Sequence, residues 1–191
     1  MLLRVHSTIS HSVVNGPGER FVVWVQGCTL GCAGCANADA CTTDGGRDVS
    51  VEELAQEIVT TAGIEGLTLS GGEPFQQPAA VAQLCRRART AGLSVFIFTG
   101  YTLDELRNSL DPAVAELLRS TDILLAGRYV QDRHTHKLWR GSDNQTVHFL
   151  SNRYRAADFD LEREVTEAEI TIDEHGEMRV TGFPEDDEMT G

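Results

Sequence analysis

Cys28, Cys32 and Cys35 lie in Gly27-Cys28-Thr29-Leu30-Gly31-Cys32-Ala33-Gly34-Cys35, directly after the apolar run from Phe21 to Gln26. Three thiolates on one short loop can hold three corners of a [4Fe–4S] cube and leave the fourth iron open for chemistry. A structural zinc site takes four ligands in closed tetrahedral coordination, and a ferredoxin cluster takes four cysteines. The C-x3-C-x2-C spacing fits neither. A zinc knuckle that borrows Cys41 or His11 is the competing reading. Cys41 and Cys85 otherwise read as structural, Cys85 sharing a helix with Val81 and Leu84.

The elements that must position these residues alternate between strand and helix. After the Phe21–Gln26 strand, Ser50-Val-Glu-Glu53 forms a capping box that opens an amphipathic helix closed by Gly63. Residues 66–69 read as a short buried strand leading into Ser70-Gly71-Gly72-Glu73-Pro74. Pro78 suits a first helical position, and Gly92 stops that helix. Leu93–Phe98 is a further strand, and Thr102-Leu-Asp-Glu105 opens a helix interrupted at Asp111-Pro112 and resumed to Arg119. Asp122–Ala126 and Gln145–Leu150 complete the strands. Such alternation implies βαβ units and a parallel sheet, with functional residues at the strands' carboxyl ends. The cysteine loop, Gly71-Gly72-Glu73, Thr99-Gly100-Tyr101 and Gly127-Arg128 all follow strands directly, so they share one rim.

Composition narrows the function classes. The 191 residues suffice for one domain with a full core. No apolar run approaches a membrane span and no secretory leader is present, so the expectation is a cytoplasmic protein with reduced thiols. Five cysteines, three of them crowded together, argue against a disulfide framework. Of the net charge of −13, most resides in 156–191, which holds 13 acids and 2 bases. The stretch 128–155 is locally basic, through Arg128, Arg133, Lys137, Arg140, Arg153 and Arg155. An acidic chain with one modest basic strip is a poor nucleic-acid binder, since that binding rests on phosphate neutralisation. Within the tail, Glu164–Ile172 and Glu177–Gly182 alternate apolar and polar residues around Asp173-Glu174-His175-Gly176, a hairpin signature. Residues 185–191 are acidic, lack a core and are expected to be disordered.

Five segments in order carry a resemblance: Asn15-Gly16-Pro17-Gly18, the three-cysteine loop, Leu69-Ser-Gly-Gly-Glu-Pro74, the Thr99–Leu106 stretch, and Trp139-Arg-Gly-Ser-Asp-Asn-Gln145. From about Val13 to Leu150 the chain resembles the radical S-adenosylmethionine (SAM) superfamily, and within it the glycyl-radical-enzyme activases, that of anaerobic ribonucleotide reductase above all. The resemblance implies a partial (β/α)6-type barrel over residues 1–155; beyond the shared region, the alternation and charge read as an acidic C-terminal β-hairpin extension over 156–184 and a tail over 185–191. It implies that Cys28, Cys32 and Cys35 ligate a [4Fe–4S] cluster whose open iron takes the methionine end of SAM. Gly71, Gly72 and Glu73 would then bind the methionine amino group through backbone oxygens and the Glu73 carboxylate. Gly34, Cys35 and Ala36 would meet the adenine, and Thr99 the ribose or carboxylate. Asn15–Arg20 borders the active site in activases, although a plain turn explains it equally.

The sequence departs from the activase pattern at two places, Ala36 where activases usually have Tyr and Ala126 where they have Asp. Gly34 stands where many superfamily members carry an aromatic, as it does in the reductase activases. The leading expectation is an enzyme that generates a glycyl radical on anaerobic ribonucleotide reductase, with electrons from a flavodoxin or ferredoxin. The alternatives are radical SAM chemistry on a peptide or small molecule, and a non-catalytic iron–sulfur electron-transfer module. His134, His136 and His148 read as ordinary loop and strand histidines rather than metal ligands.

Overall fold

A computed structural model describes residues 1–172, 176 and 178–183. Its parallel centre is built from β2 (Arg20–Val25), β4 (Gly66–Gly71), β5 (Ser94–Thr99) and β6 (Ile123–Ala126). These strands pair in the order β2-β4-β5-β6, with Phe21 beside Leu67 and Leu67 beside Val95. Every residue of β2 is buried, as expected of a strand covered on both faces. Antiparallel strands extend both edges: β1 (Leu2–Ser12) and then β3 (Arg47–Ser50) beyond β2, and β7 (Thr146–Phe149) beyond β6. The expected α/β architecture, a partial barrel with a mostly parallel sheet and a C-terminal hairpin, is therefore present. Four of its seven strands run parallel to one another.

The helices form where local signals place them. Ser50 caps α2 (Val51–Thr60) by accepting from the Glu53 N–H, and Pro78 opens α3 (Pro78–Thr90). Thr102 and Glu105 make both halves of a capping box at α4 (Leu103–Arg107), while the Asp111 carboxylate caps α5 (Pro112–Arg119). A single-turn helix, α1 (Ala38–Cys41), lies within the cysteine loop. One core forms between the helices and one sheet face, centred on Val23, Leu67, Leu69, Leu84, Ile97 and Leu117.

The opposite face carries a second, aromatic core. Phe96, Ile123, Leu125 and Trp139 pack there with Phe149, Phe159, Leu161 and Phe183. Trp139 sits edge-on to both Phe96 (5.0 Å between ring centroids) and Phe159 (5.1 Å), an arrangement that aromatic quadrupoles favour. The C-terminal extension thus contributes to a core it shares with the sheet. Its hairpin, β8 (Ala168–Ile172) and β9 (Met178–Gly182), is held by polar contacts. The Val13 N–H donates to Glu169 Oε1 (2.8 Å), and Asn15 Nδ2 donates to Thr181 Oγ1 (3.0 Å). Ile170, Ile172, Met178 and Val180 face outward. Three turn residues, 173–175, and the acidic tail after Phe183 lie outside the described residues.

Arg20 begins β2 fully buried, and no carboxylate among the described residues forms an ion pair with it. Its guanidinium donates to Thr68 Oγ1 (2.6 Å), Pro17 O (2.9 Å), Ser94 Oγ (2.9 Å), Leu67 O (2.7 Å) and Ser94 O (3.2 Å). These bonds tie β2, β4 and β5 together at the end where the parallel strands start. Burial pushes the guanidinium down to about 10, so it remains charged at neutral pH.

Candidate active site at the carboxyl rim

The cysteine loop is pinned at its base by the main chain. Gly27 N donates to Ala40 O (2.7 Å) and Cys28 N to Cys41 O (3.0 Å). Gln26 reinforces the closure, its Nε2 donating to Asp39 O (3.1 Å) and Thr42 O (2.7 Å) while its Oε1 meets His6 Nδ1 (2.9 Å). Cys28, Cys32, Cys35 and Cys41 are all partly exposed on this loop, whereas Cys85 is buried in the helical core. Burial pushes the Cys28 thiol above its ordinary value. Burial, and then the neighbouring Cys35, pushes Cys41 up to about 12. Cys41 therefore does not sit apart as a structural residue: its Sγ lies 3.9 Å from that of Cys35.

The two glycines after β4 meet this base directly. A Cβ on Gly72 would lie 2.4 Å from Gly27 O and 2.8 Å from Ala40 O, and one on Gly71 would lie 2.6 Å from Val25 O. Glu73 N then donates to Gly27 O (2.9 Å). The close approach these glycines permit is thus to the stem of the cysteine loop.

The Glu73 side chain is buried to about 1% exposure. Its Oε1 accepts from Phe75 N (2.9 Å) and Thr99 Oγ1 (2.8 Å), and its Oε2 from Gly100 N (2.8 Å). Burial pushes the carboxyl up to about 7, against the downward pull of those three donors. Thr99 Oγ1 also accepts from Tyr101 N (3.1 Å). Both polar side chains are engaged with each other and with loop backbone, so they fix the β4 and β5 loops as one unit.

Further contacts draw the rim loops together. Gln76 Nε2 donates to Thr29 Oγ1 (2.8 Å) and to the Tyr101 hydroxyl (3.2 Å). A Cβ on Gly100 would strike Leu30 (2.3 Å), which shows how closely the cysteine loop packs on the loop after β5. After β6, Arg128 pairs with Glu105 (3.1 Å) and stands over the Tyr101 ring. The side chain of Gln131 approaches exposed Gly34, whose built Cβ would lie 3.1 Å from it. Ala36 is exposed beside it.

The Trp139–Gln145 segment acts as a clasp. Gln145 Oε1 accepts from Gly141 N (2.8 Å) and Ser142 N (3.1 Å), while its Nε2 donates to Gly127 O (2.9 Å). Asn144 Nδ2 donates to Arg128 O (2.8 Å). These amides are used to hold the loop after β6. Among the described residues, Trp139 is the only non-glycine with a positive φ, at 61°.

The rim brings together Cys28, Cys32, Cys35, Gly71, Gly72, Glu73 and Thr99, with Gly34 and Ala36 at the loop's outer turn. The Asn15–Gly18 turn instead precedes β2, six residues and roughly 20 Å from the cysteine loop, where Gly16 packs against Phe96 and Arg20. A cavity of about 360 Å³, lined by Val13, Trp139, Phe159 and Arg163 among others, also lies towards that far end and includes no rim residue. The amides Gln26, Gln76 and Gln131 were not legible as site residues. Nothing in sequence distinguishes a glutamine that braces a loop from one that faces water.

Two comparisons bear on this arrangement. Residues 14–148 match the family described as a 4Fe-4S single cluster domain. The anaerobic ribonucleoside-triphosphate reductase-activating protein of Salmonella typhimurium is 34% identical over 158 residues, covering 78% of this chain and 99% of that protein. Its namesake from Vibrio cholerae is 35% identical over 156 residues, covering 76% and 97%. The pyruvate formate-lyase 1-activating enzyme of Escherichia coli is 34% identical over 152 residues, covering 76% of this chain and 60% of that enzyme.

Proposed function

Because the chain belongs to the 4Fe-4S single cluster domain family, among the radical SAM activating proteins of glycyl radical enzymes, we propose that it generates a glycyl radical on an anaerobic ribonucleotide reductase. The observation that carries this reading is the three-thiol loop, its stem held against Gly71-Gly72 on one rim.

The donor set suits the cofactors. A [4Fe–4S] cube takes one thiolate at each of three separate irons. Space is open in the Cβ direction at Gly27 and Gly31, which flank Cys28 in the chain, since a Cβ at either would meet nothing within 4 Å. Cys28, Cys32 and Cys35 would hold the cluster. When bound, it would supply the electron for reductive cleavage of a sulfonium C–S bond of SAM, the chemistry needed to remove a hydrogen atom from a backbone glycine of the partner.

The chain's own residues set the stage for that chemistry. Gly71 and Gly72 present main chain beside the cysteine loop, where a ligand's amino group finds carbonyl acceptors. Glu73 and Thr99 act on SAM through the loops they brace, because their polar atoms already have protein partners. Gln131, poised over Gly34, covers the loop's outer turn, where adenine contacts are expected.

Electrons would come from a flavodoxin or ferredoxin, and the cytoplasm, where thiols stay reduced, is the fitting compartment. No described helix is long and apolar enough to cross a membrane. Exposed Ala36 at the outer turn favours, as a second reading, a peptide or small-molecule substrate.

The test is anaerobic reconstitution followed by dithionite and SAM. The expected result is 5′-deoxyadenosine from the wild type and none from Cys32→Ala. Adding the reductase should then give a glycyl doublet in electron paramagnetic resonance. No nucleoside from an iron-loaded wild type would overturn the radical SAM assignment in favour of an electron-transfer module. Nucleoside without a doublet would overturn the reductase as substrate.

A further inference from the structure

The cysteine loop carries one thiol more than a three-cornered cluster uses. Cys41 ends α1, and its Sγ stands 3.9 Å from Cys35 Sγ and 3.4 Å from Asn37 O. Its main-chain carbonyl accepts from Cys28 N (3.0 Å), so Cys41 belongs to the same closed base as the first cluster cysteine. Both Cys35 and Cys41 are partly exposed. Cys85, buried in the helical core, is out of reach of a soluble oxidant.

The geometry points to Cys35 and Cys41 as a reversible disulfide site of the cluster-free protein, formed with a low-molecular-weight disulfide such as oxidised glutathione. A disulfide needs its sulfurs at about 2.05 Å, with Cα atoms usually about 4.4–6.8 Å apart. The two sulfurs already stand 3.9 Å apart, close to van der Waals contact.

The exchange balances. One thiolate of the pair attacks a sulfur of oxidised glutathione, forming a mixed disulfide and expelling one glutathione thiolate. The second thiolate attacks the protein sulfur of that mixed disulfide, forming the Cys35–Cys41 bond and expelling the other glutathione. Two electrons pass from the protein to the glutathione disulfide, and the two protein protons end on the released glutathione thiols.

The consequence rests on the cluster reading above. Cys35 cannot ligate iron and be half of a disulfide at once, so the oxidised and cluster-bound forms exclude one another. The bond also keeps Cys35 below the irreversible sulfinic and sulfonic steps of thiol oxidation. A cluster lost to oxygen can then be rebuilt after simple reduction.

Peptide mapping of the intact chain tests this without any variant. Cluster-free protein is equilibrated with oxidised glutathione, its free thiols are alkylated at low pH, and it is cleaved after arginine and before aspartate. Cys28, Cys32 and Cys35 then fall on residues 21–38, and Cys41 falls on residues 39–43. The expected product joins these two peptides in most chains, with fragmentation between Cys32 and Cys35 assigning the bond to Cys35. An internal Cys32–Cys35 bond with Cys41 alkylated, or a Cys28–Cys41 bond, would overturn the proposal. A second measurement concerns recovery. After oxygen exposure and dithiothreitol, the wild type should regain its iron on reconstitution, and Cys41→Ser should regain less than half as much. Equal recovery would remove the protective role. Because the mapping involves neither iron nor SAM, its failure is distinct from failure of the radical SAM assignment.

Discussion

Replacing Gly72 by alanine isolates the contact on which the site's architecture depends. Gly72 is absent from the glycines with positive φ, so the alanine backbone is unstrained and the effect is purely steric. The new methyl would lie 2.4 Å from Gly27 O and 2.8 Å from Ala40 O, both main-chain atoms at the base of the cysteine loop. To reach even a tight 3.0 Å, the Gly27 carbonyl must retreat by about 0.6 Å. That carbonyl accepts from Glu73 N, and its residue donates to Ala40 O, so the retreat loosens two bonds of the base. Overpacking of this kind costs about 1–3 kcal/mol, or roughly 2–12 °C in Tm for a chain of this length. The larger effect should be on metal uptake, because Cys28 follows the displaced carbonyl directly. We expect Gly72→Ala to bind less than half the wild-type iron after anaerobic reconstitution, read as iron per chain and as visible charge-transfer absorbance. Gly92→Ala is the control. It adopts φ 87°, and its Cβ would meet nothing within 4 Å, so it pays only the left-handed backbone penalty, about 1 kcal/mol, far from the loop. Wild-type iron content in Gly72→Ala would refute the reasoning, whatever its Tm.

Three further outcomes follow. Arg20→Met removes five donated hydrogen bonds from neutral acceptors and should cost about 3 kcal/mol, lowering Tm by roughly 6–12 °C, with Arg20→Lys intermediate; unchanged melting by circular dichroism would show that the buried charge offsets its own bonds. Glu73 has a folded-state pKa raised to about 7, so the stability it adds is fully present below the unfolded value near 4.5 and is lost as pH rises through 7. The stability difference between wild type and Glu73→Gln should therefore shift across pH 4.5–7 by an amount of order 3 kcal/mol, measured by urea unfolding of the cluster-free protein, and a flat difference would sink the raised pKa. Thr102→Ala removes the hydroxyl half of the α4 capping box, while the Thr102 N–H still donates to Glu105, and should cost about 1 kcal/mol in the same assay; a loss below about 0.3 kcal/mol would mean that packing and the remaining half hold this helix.

Much of this was legible where the physics is local. Ser50, Pro78, Thr102 and Asp111 mark helix starts because each satisfies or removes an orphan N–H within a few residues. The parallel strands were legible as unbroken apolar runs. β1 was not: beyond Leu3 and Val5 its residues are largely polar, and its pairing with β2 shifts register twice. Its strand character comes from its neighbours. In the site, the cysteine spacing and the glycine pair could be read from the chain. Glu73 suggested a ligand-facing acceptor, but the donors that occupy its carboxylate come from residues 75, 99 and 100, and only the folded rim brings these together. Cys41 suggested packing for the same reason, since nothing in a six-residue separation announces contact with Cys35.

The edge-on stacking of Trp139 between Phe96 and Phe159 has a practical corollary. The family's span ends at residue 148, before Phe159, Leu161 and Phe183. Cutting this protein back to that span would bare an indole and several phenyl rings to water. Trimmed versions made for crystallography should therefore be expected to aggregate.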